Sequence, residues 1–159
     1  MGRYEELVDK HNYLTVIETD KLPSFQSGMY FNKQIYINSN RSEAVKLETL
    51  AEEIAHHKLT YGDITDQTQF NNRKFEGYAR RYAIEQIITI QGIIDAFKND
   101  CHNLYELALF FEVSKTYVLH AIEHYKMKYG LDVYYKGYVI KFEPLQVFEH
   151  KNIEWRRLV

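Results

Sequence analysis

The stretch from Leu47 to Leu59 constrains this chain more than any other part of it. Leu47, Leu50, Ala51 and Ile54 recur at steps of three and four, which is the period of an amphipathic helix. Ser39-Asn40-Arg41-Ser42 supplies capping residues before it, and Tyr61-Gly62-Asp63 marks its end. An apolar stripe of this kind must be covered, so the helix belongs to a folded core. Its other faces carry Glu52, Glu53, His56 and His57. At about 100° per residue, Glu52 and His56 lie opposite the stripe, while Glu53 and His57 lie between that pair and the stripe. Each pair is spaced i,i+4, one helical turn apart and close enough to hold one ion.

The remaining pattern predicts short, regular elements around this helix. The chain has only two prolines and seven glycines in 159 residues, which disfavours long irregular segments. A short helix is expected over residues 3 to 11 and a strand over Leu14 to Glu18. GMYFNKQIYIN reads as a hairpin turning at Asn32-Lys33, since Asn tolerates the left-handed backbone of a tight turn. After a polar connection, DITDQTQFNNRK, helices are expected over about 72 to 89 and 91 to 97. Leu104 to Phe111 and Lys115 to Tyr129 form a helical pair that resembles a helix-turn-helix, and DVYYKGYVIKF forms a hairpin at Lys136-Gly137. The expected division is a core over residues 1–99 and a helical pair with a hairpin over residues 100–159. The fold class is α+β.

Composition removes several classes of function. A net charge of −2 offers no overall attraction to a polyanion. From Cys101 to Val159 there are eight Lys or Arg and seven Asp or Glu, a balance that lacks the basic footprint of a DNA reader. The helical pair is therefore expected to serve packing or protein contact, and nucleic acid is not an expected partner. A single cysteine, Cys101, allows no internal disulfide, and no apolar run approaches the roughly 18 residues of a membrane span. The expected compartment is the cytoplasm. His120 and His124 are also i,i+4, and exposed helix positions account for them.

A second acidic residue draws the helix toward metal chemistry. Glu76 shares a stripe with Ala79, Ala83, Ile87 and Ile90 on the following helix. A carboxylate on an inward-looking stripe is costly unless it is paired or bound to a cation. Ala79 and Ala83 would let the two helices approach closely. Arg80, four residues on, is an alternative partner for Glu76, and an ordinary solvated helix face remains an alternative reading of the Glu and His pairs.

Three blocks then fall in a recognisable order: Gly28-x5-Gln34-Ile35-Tyr36-Ile37-Asn38, Leu50-Ala51-Glu52-Glu53-Ile54-Ala55-His56-His57, and Glu76-x-x-Ala79-x-x-Tyr82-Ala83. Over residues 14 to 97 the chain resembles the ImmA/IrrE family of metallo-endopeptidases, in the short form found near prophage repressor genes of Gram-positive bacteria. The resemblance implies a zincin-like core whose helix carries H-E-x-x-H and whose next helix supplies a third ligand. It places Glu53 as general base and His56 and Glu76 as metal ligands. Glu52 stands where the first histidine of the motif belongs. A Glu/His/Glu set is chemically able to hold zinc, the first choice of divalent metal, and its extra oxygen ligand favours manganese as a second choice. His57 is left as a residue behind the ligands or an alternative ligand. The implied partner is a phage-type transcriptional repressor, cut by the enzyme or, if the motif is inactive, bound without cleavage.

Overall fold

The computed structural model describes residues 1–63 and 72–150, with the side chains of residues 60–63, 72 and 73 outside the description. Most of the polar connection expected after Asp63 lies outside the described residues. The described residues carry six helices and two three-stranded sheets, the α+β class expected from the sequence. They group into two compact units. Met1–Ile87 together with Phe111–Ser114 forms the first, and Ile88–Phe110 with the described residues from Lys115 onward forms the second.

The first unit contains α1 (Arg3–Lys10), β1 (Thr15–Thr19), β2 (Gly28–Phe31), β3 (Gln34–Asn38), α2 (Glu43–Asp63) and α3 (Asn72–Ile87). Its sheet has the order β1-β3-β2, with β1 parallel and β2 antiparallel to β3. Asn32 and Lys33 take φ of 54° and 64°, so the two-residue β2–β3 loop turns in the left-handed region, as its sequence predicts. Ile35 and Ile37 of β3 have no exposed surface. Leu47, Leu50, Ala51 and Ile54 of α2 are buried, as the periodic stripe requires. Each large apolar side chain removed from water in this way contributes roughly 2 kcal/mol before entropy is counted.

α2 starts earlier than its apolar stripe, at Glu43, where Ser42 Oγ accepts from the Val45 amide at 3.2 Å. Asn38, at the end of β3, is buried and hydrogen-bonded through both its amide nitrogen and its oxygen. Its Nδ2 donates to the Gln26 carbonyl at 3.0 Å and its Oδ1 accepts from the Asn40 amide at 2.9 Å. Arg41 adds a second tie to the same loop through Ser27 Oγ and the Ser24 carbonyl. The loop leading into β2 is thereby held by side chains at the helix entrance. Lys46 of α2 is almost fully buried, and its ammonium meets Glu18 of β1 at 2.8 Å. Tyr4 of α1 donates to the other oxygen of Glu18 at 3.1 Å.

The turn Phe111–Ser114 is tied to this unit by polar bonds. Arg3 Nη1 donates to the Phe111 carbonyl at 2.8 Å, and the Ser114 amide donates to Glu48 Oε2 at 2.7 Å. The second unit holds α4 (Ile90–Lys98), α5 (Leu104–Phe111), α6 (Lys115–Tyr129) and the meander β4 (Asp132–Tyr135), β5 (Tyr138–Phe142) and β6 (Leu145–Glu149). Tyr125 is buried and donates from its hydroxyl to the Ile88 carbonyl at 2.7 Å. Lys136 and Gly137 form the expected left-handed turn between β4 and β5. β6 extends the expected hairpin to three strands. Its pattern is short and mostly exposed, so only pairing with β5 makes it a strand.

Candidate metal centre on two facing helices

α2 places Glu52, Glu53, His56 and His57 on its half-buried faces, and α3 runs beside it in the same unit. Ala79 and Ala83 of α3 are buried, and small residues there let the helices approach closely. Two polar pairs then bridge the helices. His56 Nε2 lies 3.2 Å from Glu76 Oε2, and Arg80 Nε lies 3.8 Å from Glu52 Oε1. The pairs are offset by one turn on each helix in opposite directions, as antiparallel neighbours require.

Glu52, His56 and Glu76 each offer one ligand atom, and the three atoms lie within 4.8 Å of one another. Donors bound to one tetrahedral zinc at roughly 2.0–2.2 Å stand about 3.3–3.6 Å apart. Side-chain movement on the order of an ångström would close the set, and the donor chemistry suits zinc or a harder divalent ion. The Phe75 ring lies 5.3 Å from the His56 ring and limits the positions that imidazole can take.

Glu76 is more exposed than its sequence stripe suggests. The stripe itself is inward, with Ala79, Ala83 and Ile87 buried, but the Glu76 side chain is 54% exposed. It sits at the open end of the stripe, so burial cost does not by itself demand a partner for it. Proximity to His56, rather than desolvation, makes Glu76 a ligand candidate. Arg80 also departs from its simplest expectation, pairing across to Glu52 rather than along its own helix to Glu76.

Glu53 is the most perturbed carboxyl of the centre. Burial, then the negative charges of Glu52 and Glu76, push it up to about 8. Burial also raises Glu52, against the opposing pull of the Arg80 guanidinium. A carboxyl perturbed this strongly beside a candidate ligand cluster is characteristic of functional sites.

His57 faces elsewhere. Its Nδ1 is hydrogen-bonded to the Tyr30 hydroxyl at 2.8 Å, and its ring lies between Tyr30 and Tyr13. Burial, followed by the nearby Lys33 and Lys58, lowers its pKa. Tyr30 was not legible as a site neighbour from the α2 motif alone. A signal did exist in the hairpin. Gly28 packs on Thr49 and Glu53, so Tyr30, two residues along β2, reaches the next turn of α2 at His57. A strand advances roughly 6.7 Å in two residues and a helix about 5.4 Å per turn, so the steps nearly match.

A mixed sheet against a helix carrying clustered Glu and His residues, faced by a second helix that carries Glu76, defines a zincin-like core. A family profile described as the IrrE N-terminal-like domain, a peptidase family, matches residues 10–123, and the chain belongs to that family. No curated protein matches the chain in sequence. Among solved structures, a Mycobacterium tuberculosis transcriptional regulator is similar in fold, with a TM-score of 0.59 and 16% identity. That match covers 76% of this chain and 39% of the regulator, so the chain spans about two fifths of that protein's length. The family implies a metallopeptidase or regulatory role and a divalent metal. Among the described residues, no helix is long and apolar enough to cross a membrane.

Proposed function

We propose that this chain is a metal-dependent endopeptidase that acts on a phage or mobile-element repressor, with Glu53 as its catalytic base. The observation that carries the reading is the convergence of Glu52, His56 and Glu76 within 4.8 Å, beside a half-buried Glu53. Those three residues would hold the ion, zinc first and manganese second. Bound there, the ion supplies Lewis acidity toward a peptide carbonyl and toward water. Glu53 takes a proton from the attacking water and delivers it to the departing amine nitrogen. Relieved of the negative potential of its two carboxylate neighbours, Glu53 ionises closer to neutrality, where a base is useful. His57, held by Tyr30, stays behind the ligand set and orients the Glu53 face of α2 against β2. The protein works in the cytoplasm in this reading, with a protein as its partner.

A second reading is favoured by Glu52 itself. It stands at the position that the resemblance assigns to a histidine, and Arg80 already balances its charge. In that reading the chain binds the repressor through the same fold without cutting it.

Metal analysis and a cleavage assay separate the two. Purified chain supplemented with zinc or manganese is expected to hold one equivalent of metal. Co-expressed repressor is expected to be cut by the native chain and only bound by Glu53→Gln. Absence of stoichiometric metal under both supplements would sink the peptidase reading, and intact repressor held in a stable complex by the native chain would establish the second.

A further inference from the structure

The two bridges between α2 and α3 are successive rungs of one antiparallel ladder. Stepping one turn back along α2, from His56 to Glu52, corresponds to stepping one turn forward along α3, from Glu76 to Arg80. The residue opposite position 52 is thus fixed by helix register as residue 80. A neutral histidine at position 52 would need no charge opposite it. A glutamate there adds one negative charge to a cluster that already contains Glu76 and adjoins Glu53. Arg80 adds one positive charge at the only rung that faces it among the described bridges.

We infer that Arg80 is a charge-balancing residue of the metal centre, which offsets the extra negative charge that Glu52 brings in place of a histidine ligand. The inference rests on the proposed ligand set and deepens it. With a divalent ion on Glu52, His56 and Glu76, the ligands alone leave the centre neutral. Arg80 restores the single positive charge that one carboxylate and two histidines would leave. A centre with that net charge would polarise a carbonyl more strongly than a neutral one, because each added anionic ligand reduces the electrophilicity of a bound ion. The Arg80 side chain is 57% exposed and its Nε stands 3.8 Å from the carboxylate, so its charge acts on the centre through a partly solvent-screened contact.

The sign of the effect on affinity follows. Arg80 competes with the ion for Glu52 and repels it, so its removal should tighten metal binding where the carboxylates are ionised. Chelator-buffered zinc titration at pH 8 and low ionic strength, on the native chain, Arg80→Gln and Arg80→Lys, reads this directly. Arg80→Gln should bind zinc roughly fivefold more tightly, the factor equivalent to an exposed pair of about 1 kcal/mol. Arg80→Lys, which keeps the charge, should stay within about twofold of native, and the gap should close at about 1 M salt, where the screening length falls to roughly 3 Å. The thermal midpoint should also rise further on zinc addition for Arg80→Gln than for the native chain. Equal or weaker zinc binding by Arg80→Gln, in a protein whose circular dichroism matches native, overturns the charge-balancing role. Failure of the native chain to bind zinc or manganese at all would instead overturn the ligand set beneath it.

Discussion

Gly28 is where the edge strand meets the helix that carries the candidate centre, and replacing it with alanine tests that packing. A Cβ added at residue 28 would overlap Thr49 Cγ2, stand 3.0 Å from the Tyr36 carbonyl oxygen and reach 3.6 Å from Glu53 Cγ. Carbon atoms pack best at roughly 3.5–4.0 Å, so something must move. Thr49 can turn about χ1, which relieves one contact. The Tyr36 carbonyl belongs to β3, whose neighbours Ile35 and Ile37 are fully buried, and it cannot yield as cheaply. Overpacking of this kind costs about 1–3 kcal/mol. The reduced freedom of the unfolded chain returns roughly 0.4–1 kcal/mol. Gly28→Ala should therefore destabilise the protein by about 1–2 kcal/mol, the overpacking cost less that return. Urea unfolding, followed by circular dichroism, measures it as a lower midpoint with unchanged slope. Thr49→Ser removes the obstructing methyl and should recover part of the loss. The double-mutant cycle should show a coupling of at least about 0.5 kcal/mol. An unchanged or higher midpoint for Gly28→Ala would refute the close-approach argument. A coupling near zero would show that Thr49 is not the obstacle.

Other substitutions test separate parts of the structure. His56→Ala should lose stoichiometric metal, whereas His57→Gln should keep it, because His57 is engaged by Tyr30 rather than by the ligand cluster; loss of metal from both would put His57 among the ligands. Glu18→Gln should cost roughly 2 kcal/mol, below the range for a fully buried pair because Glu18 is partly exposed, by leaving the Lys46 ammonium poorly compensated. Hydrogen bonding from Lys46, and secondarily from Tyr4, holds the Glu18 carboxyl below its ordinary value of 4.5. Its folded pKa is depressed, so the stabilisation is present above pH 4.5 and lost as pH falls through the folded value. The stability gap between the native chain and Glu18→Gln should accordingly narrow from pH 6 toward pH 3, and a gap independent of pH would contradict the assignment. Tyr125→Phe should destabilise the second unit by about 1–2 kcal/mol through the unsatisfied Ile88 carbonyl, read from hydrogen exchange of the Tyr125 and Phe142 amides.

Much of this protein was legible without coordinates, and the reason is that local chemistry dictated it. The steps of three and four from Leu47 to Ile54 demanded a buried helix face. Asn32-Lys33 and Lys136-Gly137 demanded turns, since few residue pairs tolerate left-handed backbone at adjacent positions. The i,i+4 spacing of Glu52 and His56 put both on one side of α2 whatever surrounded it. What residue lies across from them is a matter of which helix packs there and in what register, and no local period carries that information. The sequence stripe placed Glu76 inward, yet the end of α3 leaves it half in solvent. Spacing along α3 offered Arg80 to Glu76, but tertiary packing gave Arg80 to Glu52 and His56 to Glu76. The same holds for Tyr30 and His57, 27 residues apart, which meet only because a glycine lets β2 lie close on α2. Residue types determined which groups were available to form a metal centre, and the antiparallel register of two helices decided which of them face one another.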